Sequence, residues 1–183
     1  MYVWLRAARA LARSRRAPSL GMLDDSVLRL RVGLGDLDVN FHLNNGRYLT
    51  LMDVGRLDLL GRTGMLRLLY RNKWWPRLAS ATIRYRRSLE AFEAFELRTR
   101  ARYWDAKWLY LESLFERQGE VCAQGLVKWV FKEADGRTVA PATVSRALGG
   151  PDEPPPSPPG LDAWQTWEGL TLREMSRASA RED

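Results

Sequence analysis

Residues 36–62 read DLDVNFHLNNGRYLTLMDVGRLDLLGR, a polar segment that runs directly into an apolar one. From residue 46 to about residue 62, the apolar side chains fall nearly all round a helical wheel. That distribution is typical of a helix buried on most of its sides. Asn44 or Asn45 is a natural N-cap for it. The sequence therefore predicts one long, largely buried helix.

Period-two patterns, typical of strands, lie on both sides of this helix. One run precedes the helix and four follow it, at residues 26–34, 79–86, 95–103, 109–117 and 121–132. Gln118-Gly119 predicts a tight hairpin turn between the last two runs. The four later runs predict an antiparallel meander of four long strands. The sheet should wrap the helix, because nothing else in the chain can cover it, and the fold class is α+β.

Composition divides the chain into three parts. Residues 1–20 contain five arginines and no acid, and they predict a short basic amphipathic helix. Residues 21–148 hold the predicted domain, and residues 149–183 form a proline-rich linker followed by a C-terminal tail or helix. The basic helix either packs on its own domain or makes peripheral membrane contact through residues 1–16. Both interpretations stay open.

Composition also excludes several classes of protein. The chain has one cysteine, Cys122, and one histidine, His42, so a disulfide framework or a cysteine- or histidine-rich metal site is excluded. No metal and no cofactor are expected. The net charge is +7, but most of the excess lies in residues 1–20, which weakens a nucleic-acid interpretation. No apolar run is long enough to span a membrane, so the expected location is cytoplasmic, with membrane-peripheral contact as an alternative.

The chemistry-bearing residues precede the helix. Asp38, Asn40 and His42 follow one another at intervals of two, directly before the helix start. Free N–H groups at a helix start can receive an oxyanion, and a nearby carboxylate can attack a carbonyl or deprotonate water. This combination suits hydrolysis of an activated acyl group. The alternative is that these side chains only satisfy turn backbone and cap the helix.

Residues 36–49 resemble the D-x-D-x-N-x-H-x-N-N-x-x-Y-L signature of hot-dog-fold acyl thioesterases. They are similar to the 4-hydroxybenzoyl-CoA thioesterase branch and to plant acyl-ACP thioesterases. The downstream runs 84–89 and 95–100 look closest to the thioesterase superfamily member six type. The resemblance spans roughly residues 28–131. It implies a hot-dog fold with about five or six antiparallel strands round a long central helix.

The resemblance also implies site residues. The catalytic positions would be Asp38, Asn40, His42 and Asn45. Asp38 would act as base or nucleophile, and the Asn45 main-chain N–H would polarise the thioester carbonyl. The substrate-binding positions would be Asn44, Gly46, Tyr48 and Arg84. Plant enzymes carry a glutamate where this chain has Arg84, so the full set of catalytic residues of the plant enzymes is incomplete here.

The implied substrate is an acyl thioester of coenzyme A or of acyl carrier protein, and the implied assembly is a homodimer or tetramer. Arginines on neighbouring strands, at positions 84, 86, 87, 98, 100 and 102, could meet phosphates or form a solvated face. Asp53 and Arg56 have the spacing of a helix ion pair, although some hot-dog thioesterases use a mid-helix carboxylate. Enoyl thioester hydration is disfavoured, because its signature separates aspartate and histidine by five residues. A non-catalytic acyl- or lipid-binding protein remains the main alternative.

Overall fold

The computed structural model of the protein describes the backbone of residues 2–179 and the side chains of residues 4–175. The ends of the two terminal segments, residue 1 and residues 180–183, lie outside the described residues. The helices in the described range are α1 Tyr2–Ser14, α2 Asn45–Arg62, α3 Met65–Asn72, α4 Pro141–Ala147 and α5 Leu161–Ser179. The strands are β1 Ser26–Arg31, β2 Trp75–Tyr85, β3 Ala94–Trp104, β4 Leu109–Arg117, β5 Glu120–Lys132 and β6 Thr138–Val139.

The strands form one antiparallel sheet with the order β1-β3-β4-β5-β2, and the short β6 lies beside β5. Helix α2 packs across one face of this sheet, against β1 and β3. The result is the predicted α+β hot-dog arrangement. The Gln118-Gly119 turn is also confirmed, because both residues adopt the positive φ angles, 51° and 81°, that a two-residue hairpin turn requires.

The predicted four-stranded meander is wrong in one respect. Strand β2 pairs with β5, not with the β3 that follows it along the chain. Residues 86–93 carry the chain across to the far side of the sheet, where β3 begins beside β1. The Phe92 N–H donates to the Val32 carbonyl at 3.1 Å and fixes the end of this crossing. Alternation identifies strands but not their partners, and the long connection allows a crossover that a tight turn would forbid.

Helix α2 is buried as predicted. It begins at Asn45 with Asn44 as its N-cap, and its buried positions include Tyr48, Leu51, Met52, Val54 and Leu59. Gly55 faces β3 so closely that a Cβ there would overlap the Thr99 side chain. Glycine therefore allows the helix to lie directly on the sheet.

The sheet is not the only cover for α2, so that expectation is wrong. Helix α1 packs against α2, and its Arg13 forms an ion pair with the buried carboxylate of Asp58 at 2.9 Å. Ser26 on β1 donates to the same carboxylate at 2.7 Å. The described part of the chain contains no helix that is long and apolar enough to cross a membrane.

Helix α5 covers the outer face of the sheet, opposite α2. Gln165 donates to the Tyr110 hydroxyl at 2.7 Å, and Lys128 pairs with Glu168 at 2.8 Å. Strand β2 is the other exposed feature of the sheet. It lies at an edge, and its apolar residues Trp75 and Leu78 are about half exposed.

Candidate active site

A closed loop brings the predicted residues to the start of α2. The Asp38 N–H donates to the His42 carbonyl at 2.8 Å, which closes the loop on itself. The Asp38 Oδ1 atom accepts the main-chain N–H groups of Asn40 at 2.9 Å and His42 at 3.1 Å. Phe41, at the loop tip, adopts a positive φ of 60°. One oxygen of the Asp38 carboxylate thus stabilises the turn. The other oxygen, Oδ2, accepts no hydrogen bond from the described residues.

Asp36 anchors this loop to the rest of the protein. Its carboxylate forms a buried ion pair with Arg6 of α1 at 2.8 Å and accepts the Gly33 N–H at 2.9 Å. Its carbonyl accepts the Asn44 N–H at 2.8 Å. The two ends of the loop are therefore held by one residue, which lies two positions before Asp38.

The first turn of α2 offers a free amide. The Asn44 side chain accepts the Gly46 N–H at 2.9 Å, as an N-cap does. The Asn45 N–H has no hydrogen-bond acceptor among the described residues, and the Asn45 carbonyl accepts the Tyr85 hydroxyl at 3.0 Å. A free N–H at the positive end of a helix dipole is suited to bind an oxyanion.

The free carboxylate oxygen and the free amide belong to residues that line the same cavity, of about 180 Å³. Four of the residues named from the sequence lie on its walls: Asp38, His42, Asn45 and Tyr48. Asp38 and His42 are half-buried, whereas Tyr48 is fully buried. Burial raises the pKa of Tyr48 to about 12, so its hydroxyl stays protonated and neutral.

Four other predicted residues do not line this cavity. Asn40 is exposed at the loop surface, Asn44 caps the helix, and Gly46 serves as the capped N–H donor. Arg84 lies in a second cavity, of about 180 Å³, with Gln124 and the start of α5 on the outer face of the sheet. Successive strand residues point to opposite faces, and Tyr85 contacts Tyr48 on the α2 side. Arg84 therefore points away from the Asp38 cavity.

The cavity also contains residues that the sequence did not assign to the site. They are Leu43, just before α2, and Tyr85, Arg86, Arg87 and Ser88, at the end of β2 and just beyond it. Alternation along β2 could have identified Tyr85, since Ile83 and Tyr85 share the apolar face and Arg84 does not. Burial also raises the pKa of Tyr85, which keeps this second hydroxyl protonated.

Three of the six arginines of the predicted band form ion pairs with carboxylates. Arg98 pairs with Asp25 and Glu116, Arg100 pairs with Glu112, and Arg87 pairs with Glu120. Arg86 lines the Asp38 cavity and meets no carboxylate among the described residues.

Asp53 and Arg56 form the ion pair that their spacing indicates, with Arg56 buried over the Trp129 ring. Desolvation lowers the pKa of Arg56, and the Asp53 carboxylate opposes that shift. Among the side chains of residues 4–175, no cluster of three or more histidine, cysteine or acidic side chains is arranged to hold a metal ion.

Comparison with known proteins identifies the family of the chain. The model of the "Thioesterase-like superfamily" matches residues 32–165, which include the whole cavity. The chain belongs to this family. Protein THEM6 of Danio rerio is 36% identical over 120 residues, covering 62% of this chain and 59% of that protein. "Probable thioesterase YBR096W" of Saccharomyces cerevisiae is 30% identical over 111 residues, covering 58% of this chain and 47% of that protein.

A solved structure supports the same fold. The gentisyl-coenzyme A thioesterase BH1999 aligns with a TM-score of 0.57 and 25% identity, covering 67% of this chain and 98% of that one. The chain spans about half the length of the curated relatives it matches.

Proposed function

We propose that this thioesterase-like chain hydrolyses an acyl thioester of coenzyme A. One observation carries the proposal: Asp38, with one carboxylate oxygen free, and Asn45, whose main-chain N–H has no acceptor among the described residues, line the same small cavity. A base or nucleophile and an oxyanion donor are the two groups that thioester hydrolysis requires. The printed activity of the structural neighbour, gentisyl-coenzyme A hydrolysis, supports the choice of carrier.

In the proposed reaction, the thioester carbonyl oxygen points to the Asn45 N–H. The free oxygen of Asp38 either removes a proton from water as it attacks the carbonyl carbon, or attacks that carbon itself to form an acyl-enzyme that water then hydrolyses. The C–S bond breaks and the coenzyme A sulfur leaves as a thiolate, which takes up a proton. His42, at the cavity wall, orients the water or shares its proton.

The phosphates of coenzyme A would meet Arg86, whose guanidinium has no carboxylate partner among the described residues. Arg86→Gln should raise KM for acyl-CoA severalfold and leave KM for the matching acyl-pantetheine unchanged, because the short thioester carries no phosphates. Arg84→Gln is the matched control, since Arg84 lies on the other face of the sheet. Equal effects of Arg86→Gln on both substrates would contradict this role.

We also propose that two copies pair through β2. Among the described residues, the eleven residues of this edge strand have no neighbouring strand on one side, and apolar side chains along it are exposed. An exposed, apolar edge strand of this length favours strand pairing with another chain. Light scattering should report a dimer, and Leu78→Asp should shift it to monomers. A wild-type protein that remains monomeric at micromolar concentration would contradict the pairing.

Peripheral membrane contact through α1 stays a proposal. Trp4 and Leu5 of α1 are exposed, at 80% and 50%. Both side chains could enter a lipid headgroup layer. Flotation with anionic liposomes tests it, and Trp4→Ser should reduce the floating fraction. Equal flotation of the variant would contradict the contact.

The hydrolysis proposal is tested by incubating the full chain with acyl-CoA thioesters of increasing chain length and with acyl carrier protein thioesters. Free-thiol release with a multiple-turnover yield supports hydrolysis, and the preferred carrier identifies the thioester class. Saturable binding without thiol release for every thioester would contradict hydrolysis. That result would instead favour the alternative of an acyl-binding protein that retains the fold.

A further inference from the structure

A larger cavity, of about 450 Å³, lies between α1 and β1 and shares no lining residue with the Asp38 cavity. We call it the α1–β1 slot. Its inner wall is aliphatic, formed by Ala10, Leu28, Leu30, Val32 and Val54. Its volume lies within the range of about 300–1,000 Å³ that is typical of small-molecule sites.

The slot results from how α1 attaches to the free edge of β1. Val32, just after β1, exchanges hydrogen bonds with Phe92 and Glu93, just before β3. In this antiparallel pairing, alternate residues of β1 direct their backbone groups away from β3. Arg6 donates to the Arg31 carbonyl at 2.8 Å, and Arg13 donates to the Val27 carbonyl at 3.1 Å. These two bridges hold the helix beside the strand at both ends of the slot.

Between the two bridges, α1 presents side chains that do not fill the space. Ala10 is buried but small, and Arg9 is exposed to solvent. A void thus remains between the helix and the Leu28 side of β1. An apolar groove of this size, partly open to solvent, indicates a place for a ligand.

The charge around the slot is positive. Five arginines line it, at positions 6, 9, 13, 29 and 31, and no acidic side chain does. Three of them meet carboxylates that lie outside the slot: Asp36, Asp58 and Glu96. Arg9 and Arg31 meet no carboxylate among the described residues, and Arg31 donates only to the Phe92 carbonyl, at 2.7 Å. Two guanidinium groups are therefore available to an incoming anion.

An aliphatic interior with two available guanidinium groups at its mouth complements an amphiphile with one apolar chain and one anionic head. We propose that the α1–β1 slot binds a free long-chain fatty carboxylate, with the chain against Ala10, Leu28 and Val54 and the carboxylate on Arg9 and Arg31. A guanidinium group binds a carboxylate through two parallel hydrogen bonds, which gives directional selectivity. One slot of this volume suits one chain, not the two chains of a phospholipid. The proposal does not depend on hydrolysis by the Asp38 cavity.

Photo-crosslinking tests the proposal on the full chain. The probe is hexadecanoate that carries a diazirine near the end of its chain, and labelled peptides are mapped by mass spectrometry. Label is expected on peptides that contain Ala10 and Leu28. Arg9→Gln should weaken probe binding about tenfold, as expected for the loss of a charged hydrogen bond. Arg15→Gln is the matched control, because it removes the same charge from an exposed position outside the slot.

A second variant tests the volume of the slot. Ala10→Leu places a larger side chain inside the slot, and it should reduce labelling of Leu28 without a fall in melting temperature. If Ala10→Leu lowers the melting temperature, the proposal is tested by the comparison of probe binding between Arg9→Gln and Arg15→Gln.

Several results would overturn the proposal. In the labelling experiment, they are the absence of label, or label confined to peptides that contain Tyr48 or Tyr85. In the binding comparison, the result is equal probe binding by Arg9→Gln and wild type. When unlabelled competitors are added to displace the probe, the results are equal displacement by hexadecanol and hexadecanoate, or displacement only by anionic phospholipid vesicles.

Discussion

The ion pair between Arg6 and Asp36 should hold both the N-terminal helix and the loop that carries Asp38. Its side chains are 12% and 3% exposed, and the atoms are 2.8 Å apart, so this is a buried pair and not a surface contact. Arg6→Met removes the charge and keeps an apolar side chain of similar reach. The Asp36 carboxylate then loses the Arg6 guanidinium while it remains buried.

The expected loss follows from the contacts that remain. Removal of one partner from a buried ion pair costs about 3–5 kcal/mol. The Asp36 carboxylate keeps the Gly33 N–H, so we expect the lower end of that range, about 3 kcal/mol. In a chain of this size, that free energy corresponds to a melting temperature lower by about 6–12 °C. Burial lowers the pKa of Arg6 despite the opposing attraction of Asp36, so desolvation offsets part of the gain from the pair.

Urea denaturation and tryptic digestion measure the two consequences. The variant should unfold at lower urea concentration, and trypsin should cut α1 faster, because Arg13 then lies on a helix that detaches more often. Combining Arg6→Met with Asp36→Asn should recover about 1–2 kcal/mol, because the double variant buries no unpaired charge. A decrease in the free energy of unfolding below about 0.5 kcal/mol, no larger than that caused by an exposed change such as Arg15→Gln, would refute the role of the buried pair.

Two further predictions concern buried tyrosine side chains and the close packing of α2 on the sheet. Burial raises the pKa of Tyr48 and of Tyr110 from the ordinary value of 10.0 to about 12. The two neutral hydroxyls therefore contribute fully to stability below pH 10, and this contribution is lost as the pH rises from 10 to 12. Tyr48→Phe should make the melting temperature fall less steeply over this pH range. An unchanged slope of melting temperature against pH would contradict the prediction. Gly55→Ala should cost about 1–3 kcal/mol in urea unfolding, because the added methyl group overlaps Thr99. Gly169→Ala, where a Cβ meets nothing within 4 Å, should instead stabilise by about 0.5–1 kcal/mol, and equal effects of the two changes would contradict the close packing of α2.

Local chemistry made several features predictable from the sequence. The Asn44 cap, the burial of α2 and the Gln118-Gly119 turn each depend on neighbouring residues alone, and all three are confirmed. The face of the sheet to which a strand residue points also follows from the local alternation of the sequence. Tyr85 could therefore have been placed on the α2 side and Arg84 on the outer face. The substrate-binding role of Arg84 came from the family pattern, which specifies a position but not where a different side chain points.

Features that depend on distant partners were not predictable. The pairing of β2 with β5 depends on the path of residues 86–93 round the sheet. The docking of α1 depends on where Asp36 and Asp58 come to lie after folding. A helical wheel places Arg6 and Arg13 on the polar face of α1, which suggests solvent. In the structure these arginines point toward the domain, because they form ion pairs with the buried carboxylates of Asp36 and Asp58.

The central claim is that the Asp38 carboxylate performs chemistry on an acyl carbon held at the start of α2. Asp38→Asn keeps an oxygen that can accept the Asn40 and His42 N–H groups, so the loop should stay closed while the charge is lost. The most direct measurement is kcat for acyl-CoA hydrolysis by this variant, beside wild type and Asp53→Asn at matched folded fractions. The account predicts that kcat falls by about a hundredfold or more for Asp38→Asn, whereas Asp53→Asn retains most of its turnover. Wild-type kcat in Asp38→Asn would contradict it.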